Sequence, residues 1–448
     1  MGGLLYLMTS CLGSDDKITL DDWALGNAQI ATFTLSHDSI AGLSGVRFTI
    51  DQLNGTIYNK DSMPFGTVIE EKVLCKLSFD SPYDIAAVLF VQPLTNDSVW
   101  GTNDSIDFSS PVIITVYPLD GVSEKTYEAK VNIHQIKPDS MVWHKYTSLI
   151  SGKTFKDMKV ISYNNSYYMY VSENGVCSLY ESDTDDMINW KEIPLSGFPA
   201  DADLSQVTEF DDDLYVISKQ GGLYYSSAGQ NSATGQIWTQ VDNAPSVKAL
   251  LGYLPQNPIN GRAAIISGII AENDVIRFAS MTNDREWKTG TVVPETFPIS
   301  GYSGFNYESM HHPRIIIASG RDSKNGLSNK AWSTMDGLSW VSMSNDIATF
   351  SPREGAAVSL YDNCFFLVGG LDASGKALSD IYYSKDYGVT WSDTMYVMPE
   401  NYPARGFSSV IVDKNNYMLL FGGKAGKDTN ILSELWRGRI NRLGFGKE

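Results

Sequence analysis

Six tryptophans place the tightest constraint on how this chain can fold. Trp143, Trp190, Trp238, Trp287, Trp340 and Trp391 are separated by 47, 48, 49, 53 and 51 residues. A period near 50 with about four short strands per unit is the pattern of a β-propeller, in which each repeat buries its apolar faces against its neighbours. One unit is clearest over residues 352–391. Pro352-Arg353-Glu354-Gly355 opens it, and Ala356–Leu360 and Cys364–Val368 read as its first two strands. Gly369-Gly370 ends the second strand, Ile381–Ser384 is the third, and Trp391 begins the fourth. The other second strands are expected at Tyr167–Val171, Leu214–Ile217, Ala263–Ile266, Arg314–Ala318 and Tyr417–Phe421, with Gly320, Gly422-Gly423 and, more weakly, Gly268 at their ends. The last unit stops at its third strand, Ser433–Gly438, while Met141–Tyr146 stands as a lone fourth strand ahead of the first unit. An open sheet edge invites aggregation, so the segment around Trp143 is expected to complete the final blade and close a ring of six.

Residues 20–138 have a different grammar. Short alternating strands are expected at Ile30–Leu35, Val46–Ile50, Thr67–Phe79, Ala86–Val91, Val112–Tyr117 and Thr126–Ile133, with breaks at Asn54-Gly55 and Asp120-Gly121. That density of strands without helical periodicity favours a β-sandwich. The last strand alternates Tyr127, Ala129, Val131 and Ile133 on one face, as a half-buried edge or antiparallel strand would.

Thirty-four Lys+Arg stand against 52 Asp+Glu, a net charge of −18. That charge argues against a nucleic-acid partner, because phosphate binding is driven by basic residues. With 5 His and 4 Cys there is little material for a metal centre, and no metal or cofactor is assigned. Cys75, Cys177 and Cys364 lie singly in strand-like runs and read as small hydrophobes. The adjacent His311-His312 would point to opposite faces of a strand and so chelate poorly together.

Cys11 differs from the other cysteines. Leu4–Met8 is an apolar stub, followed by Thr9, Ser10 and Cys11, and then by the small and acidic stretch Leu12–Asp16. The pattern resembles a bacterial lipobox whose Cys11 is lipidated, and the stretch after it resembles the surface-export signal of Bacteroidetes lipoproteins. The missing basic region implies a translation start upstream of Met1. The resemblance implies a lipid-anchored outer-membrane protein exposed at the surface, touching the membrane only through Cys11.

Three further resemblances concern the fold. Pro-Arg, an apolar strand, Gly-Gly and then Trp resemble kelch repeats over 300–448 and, more loosely, over 143–300. Ser384-Lys-Asp386-Tyr-Gly388-Val-Thr390-Trp391 is similar to the Asp-box, and Ser333–Trp340 is a near match with Asp336 displaced by one. An Asp-box is a hairpin device, not a catalytic motif: the Asp caps its own turn and the Gly takes a left-handed conformation. The whole chain resembles an uncharacterised family of Bacteroidetes surface lipoproteins with an Ig-like domain ahead of a kelch-like propeller. The matching segments are Ile57–Thr67, Asp120–Tyr127 and Val131–His134 with Pro138–Trp143. The expected chain is all-β: a signal remnant and tether over 1–19, an Ig-like β-sandwich over 20–138, and a six-bladed kelch-like propeller over 139–448.

No catalytic residue is assigned. Sialidase-type chemistry needs three arginines on separate blades, and residues 143–240 contain none. Asp183–Asp186 and Asp211–Asp213 read as turn residues. Arg353 and Arg405 occupy the same point of successive units, 52 residues apart, just before an innermost strand. Glu354, Lys156, Asp201 and Asp203 align near that point, with Lys248 and Tyr302 more loosely. Two readings stay open. These residues gather at one mouth of the central channel as a mixed-charge funnel for a sugar or peptide, or the two arginines bridge blades structurally. The functional expectation is a non-enzymatic module binding a glycan or a surface protein. The alternative is a glycoside hydrolase-like enzyme with a carboxylate pair in the funnel.

Overall fold

A computed structural model describes residues 26–69, 72–91, 98–146, 149–232, 235–344 and 346–444. Cys11 and the tether lie outside the described residues. The chain divides into two compact units, Met1–Pro138 and Asp139–Glu448.

The first unit is a sandwich of two sheets. One holds Ile30–Ser36, Val73–Phe79 and Ser105–Ile106; the other runs Phe48–Asp51, Thr56–Asn59, Lys125–Lys130, Val112–Pro118, Ile85–Val91, Ser98–Val99. Phe33, Val73 and Cys75 of the first sheet share one core with Ile57, Phe90, Ile114 and Tyr127 of the second. Burial pushes the Cys75 thiol up to about 12, so it serves as an inert apolar group. Two expectations need correction. Thr56–Asn59 is a strand of its own, because Asn54-Gly55 turns the chain back on Phe48–Asp51 as a hairpin. Lys125–Lys130 is antiparallel to Val112–Pro118 and half-buried, as expected, but it is not an edge, since Thr56–Asn59 pairs with it in parallel on the other side.

Among the described residues the second unit has one small sheet of Leu195–Ser196, Gly235–Ile237 and Asn231–Ser232 and carries the tryptophan repeat as six further sheets. Their first strands are Asp157–Tyr163, Thr208–Phe210, Ser246–Leu254, Ser303–Ser309, Ala357–Tyr361 and Ser409–Val412, opening sheets I to VI. Each sheet is an antiparallel meander, and an apolar cluster lies between every successive pair. The cluster of Val160, Tyr167, Met169, Leu419 and Phe421 lies between sheets VI and I, so the ring has no end. Sheet V has three strands, with the bridge Tyr383–Ser392 where a fourth would run.

Ring closure follows from one strand pair. Met141–Tyr146 lies antiparallel to Leu435–Ile440 as the outer strand of sheet VI, with Trp143 opposite Gly438. The Trp143 ring lies against that glycine, and a Cβ there would come within 2.4 Å of the ring. The second strand of sheet III is Ile265–Glu272 rather than Ala263–Ile266, so Gly268 is inside a strand and not at its end. The neighbouring strand is bulged at Val247/Ala249, and a Cβ on Gly268 would lie 2.7 Å from the Ala249 carbonyl.

The closure makes a prediction. Gly438→Ala is expected to cost about 1–3 kcal/mol by overpacking. Trp143→Ala is expected to cost about 3–5 kcal/mol by leaving a cavity. Urea midpoints of the full chain check both, and wild-type midpoints for both variants would show that this pair does not hold the ring.

Candidate functional site

The starts of the first strands of sheets I, II, IV, V and VI or the residues leading into them, with segments after the second strands of sheets II and VI, line a cavity of about 370 Å³. Its floor is backbone. The Gly355 amide donates to the Gly301 carbonyl at 2.7 Å and the Phe407 amide to the Gly355 carbonyl at 2.6 Å. Sheets IV, V and VI are thus stitched together around the opening. All three residues are left-handed, at φ 60, 65 and 59. Two are glycines, which take that conformation at little cost. The third is a phenylalanine, whose ring covers Gly355 and faces the cavity. A bulky side chain held at positive φ is strained, and such strain collects at functional sites.

The polar lining comes from several sheets. Asp157 and Lys159 are two apart on the first strand of sheet I and so share a face. Asp157 is paired with Lys424 of sheet VI at 2.7 Å. Asp203 caps the short turn Leu204–Gln206, accepting from the Ser205 amide at 3.1 Å and its hydroxyl at 2.6 Å. Lys219 enters from the loop that follows the second strand of sheet II. On the side nearest sheet III, the Tyr302 hydroxyl lies 2.8 Å from the Leu250 carbonyl and 3.1 Å from Gln206 Oε1. Burial pushes that hydroxyl well above the ordinary tyrosine range.

The expected residues separate into three groups. Asp203 and Glu354 line the cavity. Glu354 is taken on both oxygens by Arg321, Nε at 2.6 Å and Nη2 at 2.7 Å. Lys156 and Asp201 lie outside the lining. Lys156 is exposed and contributes an amide hydrogen bond to the Ser172 carbonyl at 2.9 Å. Asp201 is half-buried, with one carboxylate oxygen shielded and without a protein partner.

Arg353 and Arg405 are not ligand-facing. They are 0% and 1% exposed and perform the same structural task in sheets V and VI. Arg353 donates from Nε to the Ser351 carbonyl at 2.9 Å, from Nη1 to the Gly369 carbonyl at 2.9 Å, and from both Nη atoms to Asp380 at 2.5 and 2.8 Å. Arg405 repeats the geometry with Pro403, Gly422 and Glu434, the last also bound by Lys145. Their backbones reach the preceding sheet: the Gly320 amide donates to the Arg353 carbonyl at 2.8 Å, and the Gly370 amide to the Arg405 carbonyl at 2.9 Å. The side chain clamps its own sheet and the backbone holds the one before, which is the bridging reading of the pair.

Sequence reasoning missed Lys159, Lys219, Arg321, Phe407 and Lys424. Phe407 had a readable signal. Aligning Arg405 with Arg353 places it 52 residues after Gly355, an aromatic where the repeat has glycine. Lys159 lies past the loop, inside the strand, where aligning loops does not reach.

The aspartate turns are structural. Asp386 accepts from the Thr390 amide at 2.9 Å and hydroxyl at 2.6 Å and from the Ser384 hydroxyl at 2.8 Å. In sheet IV Thr334 takes the place of that serine, with Asp336 accepting from its hydroxyl at 3.1 Å. The loop there is one residue shorter, so Asp336 is in register and Ser333 is not. His311 and His312 do not converge, His311 lying near Glu308 and His312 near Asn257. Among the described residues no group of three potential metal ligands forms.

Residues 137–448 match the DUF6242 beta propeller domain, and residues 24–131 match the DUF6242 N-terminal domain. The chain belongs to the DUF6242 family. Among solved structures, one titled "Structure of YjhT" is similar at a TM-score of 0.46 and 13% identity, over 64% of this chain and 97% of that chain. A comparison with curated proteins gave no match. In this DUF6242 member the two arginine clamps carry two predictions. Arg353→Ala is expected to cost about 3 kcal/mol, the low end for a broken buried pair, since Asp380 keeps 32% exposure. A urea midpoint within error of wild type would show that the clamp is dispensable. For Glu434, burial raises its pKa, but Lys145 and Arg405 outweigh it and hold the carboxyl below its ordinary 4.5. Its stabilisation is therefore complete at neutral pH and is lost as pH falls below 4.5 through the lowered folded value. Glu434→Gln should flatten the acid limb of the stability profile, and an unchanged limb would exclude this carboxylate as its source.

Proposed function

We propose that this protein is a non-enzymatic glycan-binding module whose site is the channel mouth. The six sheets serve as six kelch-like blades, and the N-terminal sandwich is an Ig-like spacer. A lipid on Cys11 holds the chain at the outer-membrane surface. The observation that carries the reading is the Phe407 ring, held over a polar cavity by a strained backbone. A cavity of about 370 Å³ is within the size range of small-ligand sites. An aromatic face stacks on the apolar face of a sugar, and the surrounding amides, hydroxyls and charges match its hydroxyl groups.

The hydrolase alternative draws less support from the same residues. A glycosidase needs one carboxyl as acid and a second free as base or nucleophile. Here Glu354 is clamped by Arg321, Asp157 is paired with Lys424, and Asp203 is used in its own turn. Each carboxylate has a structural partner that a catalytic role would have to displace.

Phe407→Gly separates binding from folding. Glycine relieves the left-handed strain of about 1–3 kcal/mol while removing the platform. On a glycan array, the full chain is expected to retain a defined set of sugars, and the variant to lose them by at least about tenfold with an unchanged or raised melting temperature. Retained binding by the variant, or an array with no retained sugar, would sink the reading.

A further inference from the structure

Two lysines at the mouth have no direct partner, and their placement points to a ligand class. Lys424 is neutralised by Asp157, and Arg321 by Glu354. The lining holds Lys159, Lys219 and Lys424 against Asp157, Asp203 and Glu354, with Arg321 paired to Glu354 from outside it and Asp201 next to Lys219, so the cations left without an ion-pair partner are Lys159 and Lys219. Among the described residues neither lysine has a hydrogen-bond or ion-pair partner for its ammonium. The mouth thus keeps two ammonium groups without a direct partner in a chain whose net charge is −18. Surface lysines of acidic proteins usually find carboxylates close by. These two come from adjacent sheets and are left facing one cavity.

Their settings differ. Lys219 is exposed, at the rim. Lys159 is on the channel strand, and although part of its side chain meets solvent, desolvation pulls its ammonium below the usual lysine range, with Asp203 opposing. A buried charge without a partner is costly, and the group that compensates it best is an oxyanion. Asp203 repels an anion on its own side and offers its carboxylate to a hydroxyl. Phe407 offers a face to an apolar ring surface.

Building on the glycan-binding reading, we infer that the ligand is an acidic saccharide, with its carboxylate or phosphate oxyanion held between Lys159 and Lys219 and its ring beside Phe407.

Calorimetry on the full chain tests this with four probes: glucuronate, glucose 6-phosphate, glucose and inorganic phosphate. At least one of the two acidic sugars is expected to bind tenfold or more tightly than glucose, and to weaken as salt is raised. Preference between the two identifies the oxyanion as carboxylate or phosphate. Inorganic phosphate is expected to compete weakly, since it lacks the ring. Lys159→Met should reduce the ratio of acidic-sugar to glucose affinity by about tenfold or more, whatever it does to glucose itself. Lys219→Gln, at an exposed site, gives the same test should the buried variant fold poorly. Equal binding of glucose and the acidic sugars, or acid binding that survives both lysine variants, overturns the inference while the mouth remains a glycan site. Tight binding of phosphate without any sugar preference also overturns it. Binding of no sugar in the mouth, on the array or by calorimetry, overturns both.

Discussion

The pairing of Met141–Tyr146 with Leu435–Ile440 is the constraint on which the rest of the second unit depends. A meander of sheets builds its cores between neighbours, so a linear array of six would have five such cores and two bare faces. The strand pair joins the two ends of the chain segment and creates the sixth core, where Val160 and Met169 meet Leu419 and Phe421. Arg442 reinforces the junction, donating to Asp139 at 2.8 Å ahead of the closing strand and to Asp362 of sheet V at 2.9 Å. Closure also completes the lining of the mouth, because it brings Lys159 of sheet I and Phe407 of sheet VI to the same cavity.

The mouth also depends on the two buried arginines, in a way that explains why they mimic a binding site in the sequence. An arginine at a repeated position before an inner strand looks like a ligand clamp. Its planar fork is equally suited to carbonyls at the end of the second strand and a carboxylate on the third, and a buried guanidinium needs that many acceptors. With Arg353 and Arg405 turned inward, the residues after them, Glu354-Gly355 and Phe407, are the ones presented to the cavity. The clamps position the site without belonging to it.

Periodicity made the architecture legible. The tryptophan spacing and the lone strand at Trp143 are properties of the chain order, and sheet topology follows chain order in a meander. Strand limits were less legible where glycine plays two roles. Gly369-Gly370 and Gly268 both read as strand ends, yet both lie within strands that bulge or take a close neighbour. The hairpin at Thr56–Asn59 was hidden for the opposite reason, a strand too short to show alternation. The site was the least legible part. Whether an arginine faces ligand or carbonyl, and whether a lysine has a carboxylate within reach, are decided by residues some 30 to 270 positions away, as for Arg321 with Glu354 and Lys424 with Asp157.

Phe407 is a departure from the repeat at the point where the loops converge. Gly301 and Gly355 meet the left-handed requirement at the mouth without strain, and a third glycine would have served sheet VI equally well for stability. A phenylalanine there adds backbone strain and places an aromatic ring beside the Lys424 ammonium, 5.8 Å from its centre. The ring covers Gly355, whose φ of 65 already excludes most side chains, so the two positions fit as a pair. Folding alone favours glycine at this point of the ring. A residue that a repeat's geometry disfavours, placed where the loops converge, is better explained by what it touches in the cavity than by what it contributes to the core.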